Sequence, residues 1–137
     1  MAGYSGTPLL KKLGIKDGQS VLLRNAPSGL PEELRGYART KLERNLDVVL
    51  LFAGSVAVFK AEFGVLTQTI RTEGMIWVAW PKKSSGIRTD LTESAIRDYA
   101  LQTPFVDVKV CAIDDTWSGL KFVIRKELRK FLATGTH

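Results

Sequence analysis

Apolar residues along the chain fall into two periods, and the change of period marks the elements. Leu9, Leu10 and Leu13 make a short amphipathic piece closed by Gly14 and Gly18. Ser20 to Ala26 (SVLLRNA) is an apolar run ending in a Pro-Ser-Gly turn, which reads as a strand. Leu30, Leu34, Tyr37, Ala38 and Leu42 then recur at helical spacing. Pro31 suits the first helical position there, and Glu32 and Glu33 suit the positive end of the helix dipole. Asp47 to Ala53 (DVVLLFA) is continuously apolar, the signature of a strand covered on both faces. After Gly54, Ser55 is placed to cap a helix whose stripe is Phe59, Phe63, Leu66 and Ile70. Gly64 inside that stripe predicts close packing on the sheet, and Gly74 is read as the helix end. Met75 to Trp80 (MIWVAW) is a second doubly buried strand, with Trp77 and Trp80 as core residues. Asp90, with Glu93 three residues on, predicts the cap of a helix that buries Leu91, Ala95, Ile96, Tyr99 and Ala100.

Beyond that helix the period becomes two. Val106, Val108, Val110 and Ala112 alternate with Asp107, Lys109, Cys111 and Ile113. Leu120, Phe122 and Ile124 alternate with Lys121, Val123 and Arg125. Joined by the turn from Asp114 to Gly119, these predict an antiparallel hairpin whose more polar first strand lies at the sheet edge. The basic tail from Arg125 to Leu132 predicts a short helix. The elements sum to an α/β fold: one domain over residues 1–137, with an N-terminal arm (1–19) and a basic C-terminal tail (126–137). The expected architecture is a three-layer sandwich around a mostly parallel five-stranded sheet of order 1-2-3-5-4, with right-handed crossovers.

Composition narrows the chemistry. The chain has 137 residues, 45% apolar and 25% charged, which excludes disordered, collagenous and coiled-coil classes. A single cysteine, Cys111, fits a reducing compartment, and the single histidine is the terminal His137. Zinc sites that need two or more Cys or His ligands are thereby excluded, and histidine-dependent nucleophiles are disfavoured. The N-terminus lacks a basic region followed by an apolar run, and the longest uncharged stretch is Val48 to Phe59, too short to span a bilayer. The chain therefore reads as cytoplasmic, with no membrane association. The net charge of +6 concentrates at the ends, +3 in residues 1–30 and +4 in residues 119–137. Basic ends admit a nucleic-acid partner or simple solubility; solubility is preferred, because no aromatic residues interleave with the basic ones.

Parallel sheets bind ligands beyond the carboxyl ends of their strands. The residues delivered there are Asn25 after the first strand, Ser55 after the second, and Lys82, Lys83, Ser84, Ser85 and Gly86 after the third. If the fourth strand runs parallel, Asp115, Trp117 and Ser118 of the hairpin turn join them. Two ammonium groups, two hydroxyls and a glycine in the Lys82–Gly86 loop suit a phosphate or carboxylate, or else form a solvated basic loop. Trp117 suits stacking on a flat ligand or capping the core, and Asp115 and Lys82 are the acid–base candidates. Neither a Walker loop nor G-x-G-x-x-G is present, so no cofactor is implied. The residues favour a non-catalytic module for an anionic small molecule over an enzyme.

Tyr4 with Leu13-Gly-Ile-Lys16, Asp47 to Phe52, Gly74 to Lys83 and Thr116 to Leu120 resemble a bacterial family filed as domain of unknown function 3052. The resemblance spans nearly the whole chain, and Trp-Pro-Lys-Lys and Trp-Ser-Gly are its most specific pieces. It implies a small bacterial cytoplasmic protein and lends no activity, cofactor or catalytic residue. Asp47 to Leu51, a helix, Gly74 to Val78 and a closing hairpin also resemble the later half of a Rossmann-type methyltransferase. Those enzymes hold S-adenosylmethionine on a glycine-rich loop after their first strand; Asn25-Ala-Pro-Ser-Gly29 stands in that place here.

Overall fold

The structure, a computed structural model, describes residues 9–37 and 43–133. Along the chain run α1 (Leu9–Leu13), β1 (Val21–Arg24), α2 (Glu32–Tyr37), β2 (Leu46–Phe52), α3 (Val56–Leu66) and β3 (Ile70–Pro81). After them come α4 (Glu93–Ala100), β4 (Phe105–Ala112), β5 (Trp117–Ile124) and α5 (Lys126–Ala133). The sheet order is β1-β2-β3-β5-β4. β1, β2 and β3 are parallel, and β5 is antiparallel to both β3 and β4. Ala38 and Leu42 of the expected second helix, and the arm containing Tyr4, lie outside the described residues.

Both faces of the sheet are covered, which is why β2 reads as an unbroken apolar run. Leu22, Val49, Leu51, Ile76, Val78, Leu120 and Phe122 point to the face where α3 and α4 bring Phe59, Phe63, Leu66, Ile96 and Ala100. Val21, Leu23, Val48, Leu50, Phe52, Trp77 and Ala79 point the other way, to Leu9 and Leu13 of α1 and to Leu30 and Leu34. The steps from β1 to β2 and from β2 to β3 go the same way along the sheet, yet α2 and α3 cover opposite faces. The two crossovers therefore have opposite hands, so they are not both right-handed. The apolar partners that Leu30 and Leu34 find beside α1 hold α2 on that face.

The structure moves three expected boundaries. α3 stops at Leu66, not at Gly74; Thr67 and Thr69 fold their hydroxyls back onto the carbonyls of Gly64 and Leu66. Ile70 consequently opens β3 and pairs with Leu46, while Met75 pairs with Val48, so residues 71–74 bulge from the ladder. Gly74 sits where the chain closes back on β2. A Cβ there would stand 2.8 Å from the Asp47 carbonyl oxygen and 2.9 Å from that of Leu46, so the close backbone approach excludes any side chain. Gly64, expected against the sheet, faces open space. The cap of α4 is Thr92, whose Oγ1 accepts from the Ala95 amide, and not Asp90.

Candidate functional site

The parallel register of β1–β3, together with antiparallel β5, sends the turns after β1, β2 and β3 and the β4–β5 turn to one rim. Trp117 pairs with Pro81, and the Lys82 amide donates to the Thr116 carbonyl at 2.8 Å. The hairpin turn and the Lys82–Gly86 loop are thus joined by backbone, as the parallel sense of β4 relative to β3 requires.

Between the β2–α3 turn and the chain from β3 to α4 lies an open crevice of about 1000 Å³. Gly54 and Ser55 form one wall, Trp80 and Pro81 the base, and Lys83 and the stretch from Gly86 to Ser94 the other wall. Ser55 begins α3, its hydroxyl accepting from the Val58 amide at 3.2 Å. The opposite wall is strapped across to this turn. Thr89 Oγ1 donates to the Gly54 carbonyl at 2.8 Å, and Asp90 Oδ1 accepts from the Val56 amide at 2.8 Å. Asp90 thereby supplies the negative charge that the N-terminus of α3 favours. Pro81 and Gly86 bracket a single 3-10 turn, with Gly86 at φ 80°, a value suited to glycine. Ser85 Oγ is used within this turn, donating to the Lys82 carbonyl and accepting from the Ile87 amide.

Of the sequence-derived candidates, Ser55, Lys83 and Gly86 line the crevice. Lys82, Ser84 and Ser85 belong to the same loop but not to the lining. Trp117 turns to the α1/α2 face, its ring edge-on to Phe52 with centroids 5.1 Å apart, so it caps the core. Ser118 is a ladder residue between Trp80 and Ala112. Asp115 is exposed at the turn tip, whereas Asp114 organises the turn by accepting from the Thr116 and Trp117 amides, each at 2.8 Å. Asn25, in the left-handed region at φ 59°, lies with Leu23, Arg24, Ala26 and Arg35 around a separate hollow of about 430 Å³. The candidate residues on the rim therefore fall around two separate hollows rather than one shared pocket. The sequence reading missed Ile87, Arg88 and Thr89. Their signal was continuity with the Lys82–Gly86 loop, since nothing turns the chain away from the rim before Thr92.

A mostly parallel sheet in this order, covered by helices on both faces, defines a Rossmann-like α/β fold. No family model matches the chain, and no curated protein does either. Solved structures do. A protein in the NADB-Rossmann superfamily from Streptococcus agalactiae is 8% identical, with a TM-score of 0.51 over 95% of this chain and 76% of that one. An rRNA methylase from Streptococcus thermophilus is 9% identical, with a TM-score of 0.50 over 86% of this chain and 93% of that one. A protein from work on the conversion of a disulfide bond into a thioacetal group during echinomycin biosynthesis is 14% identical, with a TM-score of 0.53 over 91% and 84%. At these identities the likeness shows the fold. Among the described residues no helix is long and apolar enough to cross a membrane, and no group of acidic, His or Cys side chains could hold a metal.

Proposed function

We propose that the protein is a binding module that takes an anionic small molecule in the crevice between the β2–α3 turn and the Lys83–Ser94 wall. One observation carries this reading. The crevice holds two cations and two carboxylates, and only the carboxylates are engaged. Asp90 is held by the Val56 amide and Glu93 by Arg97. Among the described residues Lys83 and Arg88 make no ion pair or hydrogen bond through their side chains. Trp80, Pro81, Ile87 and Leu91 add apolar surface, so the space combines a lipophilic base with a few charged groups, as small-molecule sites do. Ile87 is 48% exposed, an apolar side chain that a ligand would cover.

Thermal unfolding with pyrophosphate, citrate and adenosine monophosphate tests the reading. A ligand at about 100 times its Kd stabilises by about 2.7 kcal/mol. Lys83→Ala/Arg88→Ala is expected to abolish the shift. No shift with any of them, or an equal shift in the double variant, overturns the reading.

A group-transfer enzyme is the second reading, and the fold likeness to an rRNA methylase favours it. The residues after β1 do not fit S-adenosylmethionine, the cofactor that such a reading implies. Pro27 has no amide hydrogen to offer, and the Arg24 guanidinium is tied to Glu62 at 2.8 Å across the start of that turn. Stabilisation by S-adenosylmethionine alone would favour this second reading.

A further inference from the structure

The α1/α2 face of the hairpin carries a basic cluster remote from the crevice. Register places Lys121 of β5 between Trp77 of β3 and Lys109 of β4, all three on that face. The Trp77 indole is sealed by α1, its Nε1 donating to the Leu13 carbonyl at 3.0 Å. Lys121 leans back toward the turn that ends α1, where a Cβ on Gly14 would stand 3.9 Å from its Nζ. From the last turn of α1, Lys12 adds a third ammonium, close enough to act on the Cys111 thiol, as Lys109 also does. Cys111 is half-buried against the Trp77 side of the core.

Among the described residues none of these three lysines has an ion pair or a side-chain hydrogen bond. That arrangement is unfavourable by itself. Like charges directly opposite on neighbouring strands repel, and a half-buried ammonium without a partner loses solvation. Burial and then Lys109 hold Lys121 below the ordinary lysine range. Among the described residues no carboxylate pairs with these lysines; Asp107, two positions from Lys109, is engaged by Arg97 on the opposite face. One anion among the three ammonium groups would relieve repulsion and desolvation together. Three uncompensated charges on one small area match a dianion better than a single carboxylate, and lysines bind phosphate as point charges.

We propose that Lys12, Lys109 and Lys121 form a second binding site, one that takes the phosphate group of a small phosphorylated molecule on the α1/α2 face of the hairpin. Cys111 borders the site and is the only cysteine in the chain, which makes its alkylation rate a local reporter. A phosphate held by the lysines cancels their attraction for the thiolate and covers the sulfur, so the thiol reacts more slowly.

The test is iodoacetamide labelling of the full chain in millimolar inorganic phosphate against potassium chloride at equal ionic strength. Several-fold slower labelling in phosphate is expected. Lys109→Ala/Lys121→Met is expected to lose that protection, and Lys83→Ala/Arg88→Ala to keep it. Equal rates in the two salts overturn the site, as does protection that survives in the Lys109→Ala/Lys121→Met variant. If that variant fails to fold, Lys12→Ala on the half-buried rim of α1 replaces it, and phosphorus NMR line broadening with the wild type gives a label-free reading. Protection by a short single-stranded RNA at concentrations where inorganic phosphate gives none would assign the cluster to a nucleic-acid backbone and overturn the small-molecule proposal.

Discussion

The two faces of the sheet are finished differently. Under α3 and α4, the rings of Phe59, Phe63, Tyr99, Phe105 and Phe122 meet with centroids 5.3–6.4 Å apart, and the aromatic layer reaches from β5 out to the edge strand β4. On the other face α1 and α2 seal β1, β2 and the Trp77 row of β3. On the next two strands out, β5 and β4, the positions on this face become Lys121 and Lys109. β5 shows the contrast within itself: Leu120, Phe122 and Ile124 are buried, while Lys121 and Val123 between them are half-buried. The alternation along the hairpin therefore records a layer of helices that stops short on one side. On the inward positions of β5 and β4 that this layer leaves uncovered stand Lys121 and Lys109, whose charges keep this part of the edge from pairing through apolar side chains.

Substitutions can break or sharpen this contrast. Phe63→Ala, at the centre of the aromatic layer, is expected to cost about 4 kcal/mol in the midpoint of denaturant unfolding. Trp117→Ala on the other face should cost less than half of that, because this ring lies at the margin of its cluster, edge-on to Phe52, and stays partly exposed. Equal losses would mean that the faces are equally closed. Gly74→Ala should cost about 3 kcal/mol, since the new methyl collides with two β2 carbonyls and a backbone cannot yield as a side chain does. Asp90→Ala frees the Val56 amide and should cost about 1 kcal/mol, whereas Asp90→Asn should retain most of that stability. Gly64→Ala, on the solvent side of α3, should raise stability by about 0.7 kcal/mol; a loss would show that the site is packed after all.

The smallest effects are in pH. With Lys121 depressed by burial, the unfolded chain binds more protons just below the ordinary lysine value, so stability rises with pH across that window. Cys111 acts oppositely. Burial pushes its thiol up against the pull of Lys12 and Lys109, the native chain keeps a proton that the unfolded chain has lost, and stability falls as pH rises above the ordinary thiol value. Lys121→Met should remove the first slope and Cys111→Ala the second, each measured as the unfolding midpoint across alkaline pH.

Strand order was readable because burial writes itself into side-chain period. Two continuous runs, β2 and β3, read as strands covered on both faces, as in a parallel sheet, and the more polar alternating strand read as the edge. The rim that collects the loops follows from that order, and Ser55, Lys83 and Gly86 were found from it. What escaped was chemistry made by distant partners. Asp90 looks like the cap of the helix that follows it, yet its oxygen serves α3, which precedes it by more than thirty residues. Trp117 looks like a ligand platform until Phe52 is placed beneath it. Gly74 ends no helix; its neighbours are carbonyls of another strand.

From the sequence alone came the α/β class, the order β1-β2-β3-β5-β4 and the edge that carries the loops, because each depends on which residues leave water, and periodicity reports that directly. The tertiary structure alone decided which charges are already satisfied and which stand unmatched. Lys109 and Lys121 become neighbours only through strand register, and Asp90 and Val56 only through a strap across the rim. Electrostatic energy depends on distance in space and not along the chain, so no local pattern of residues could have contained it.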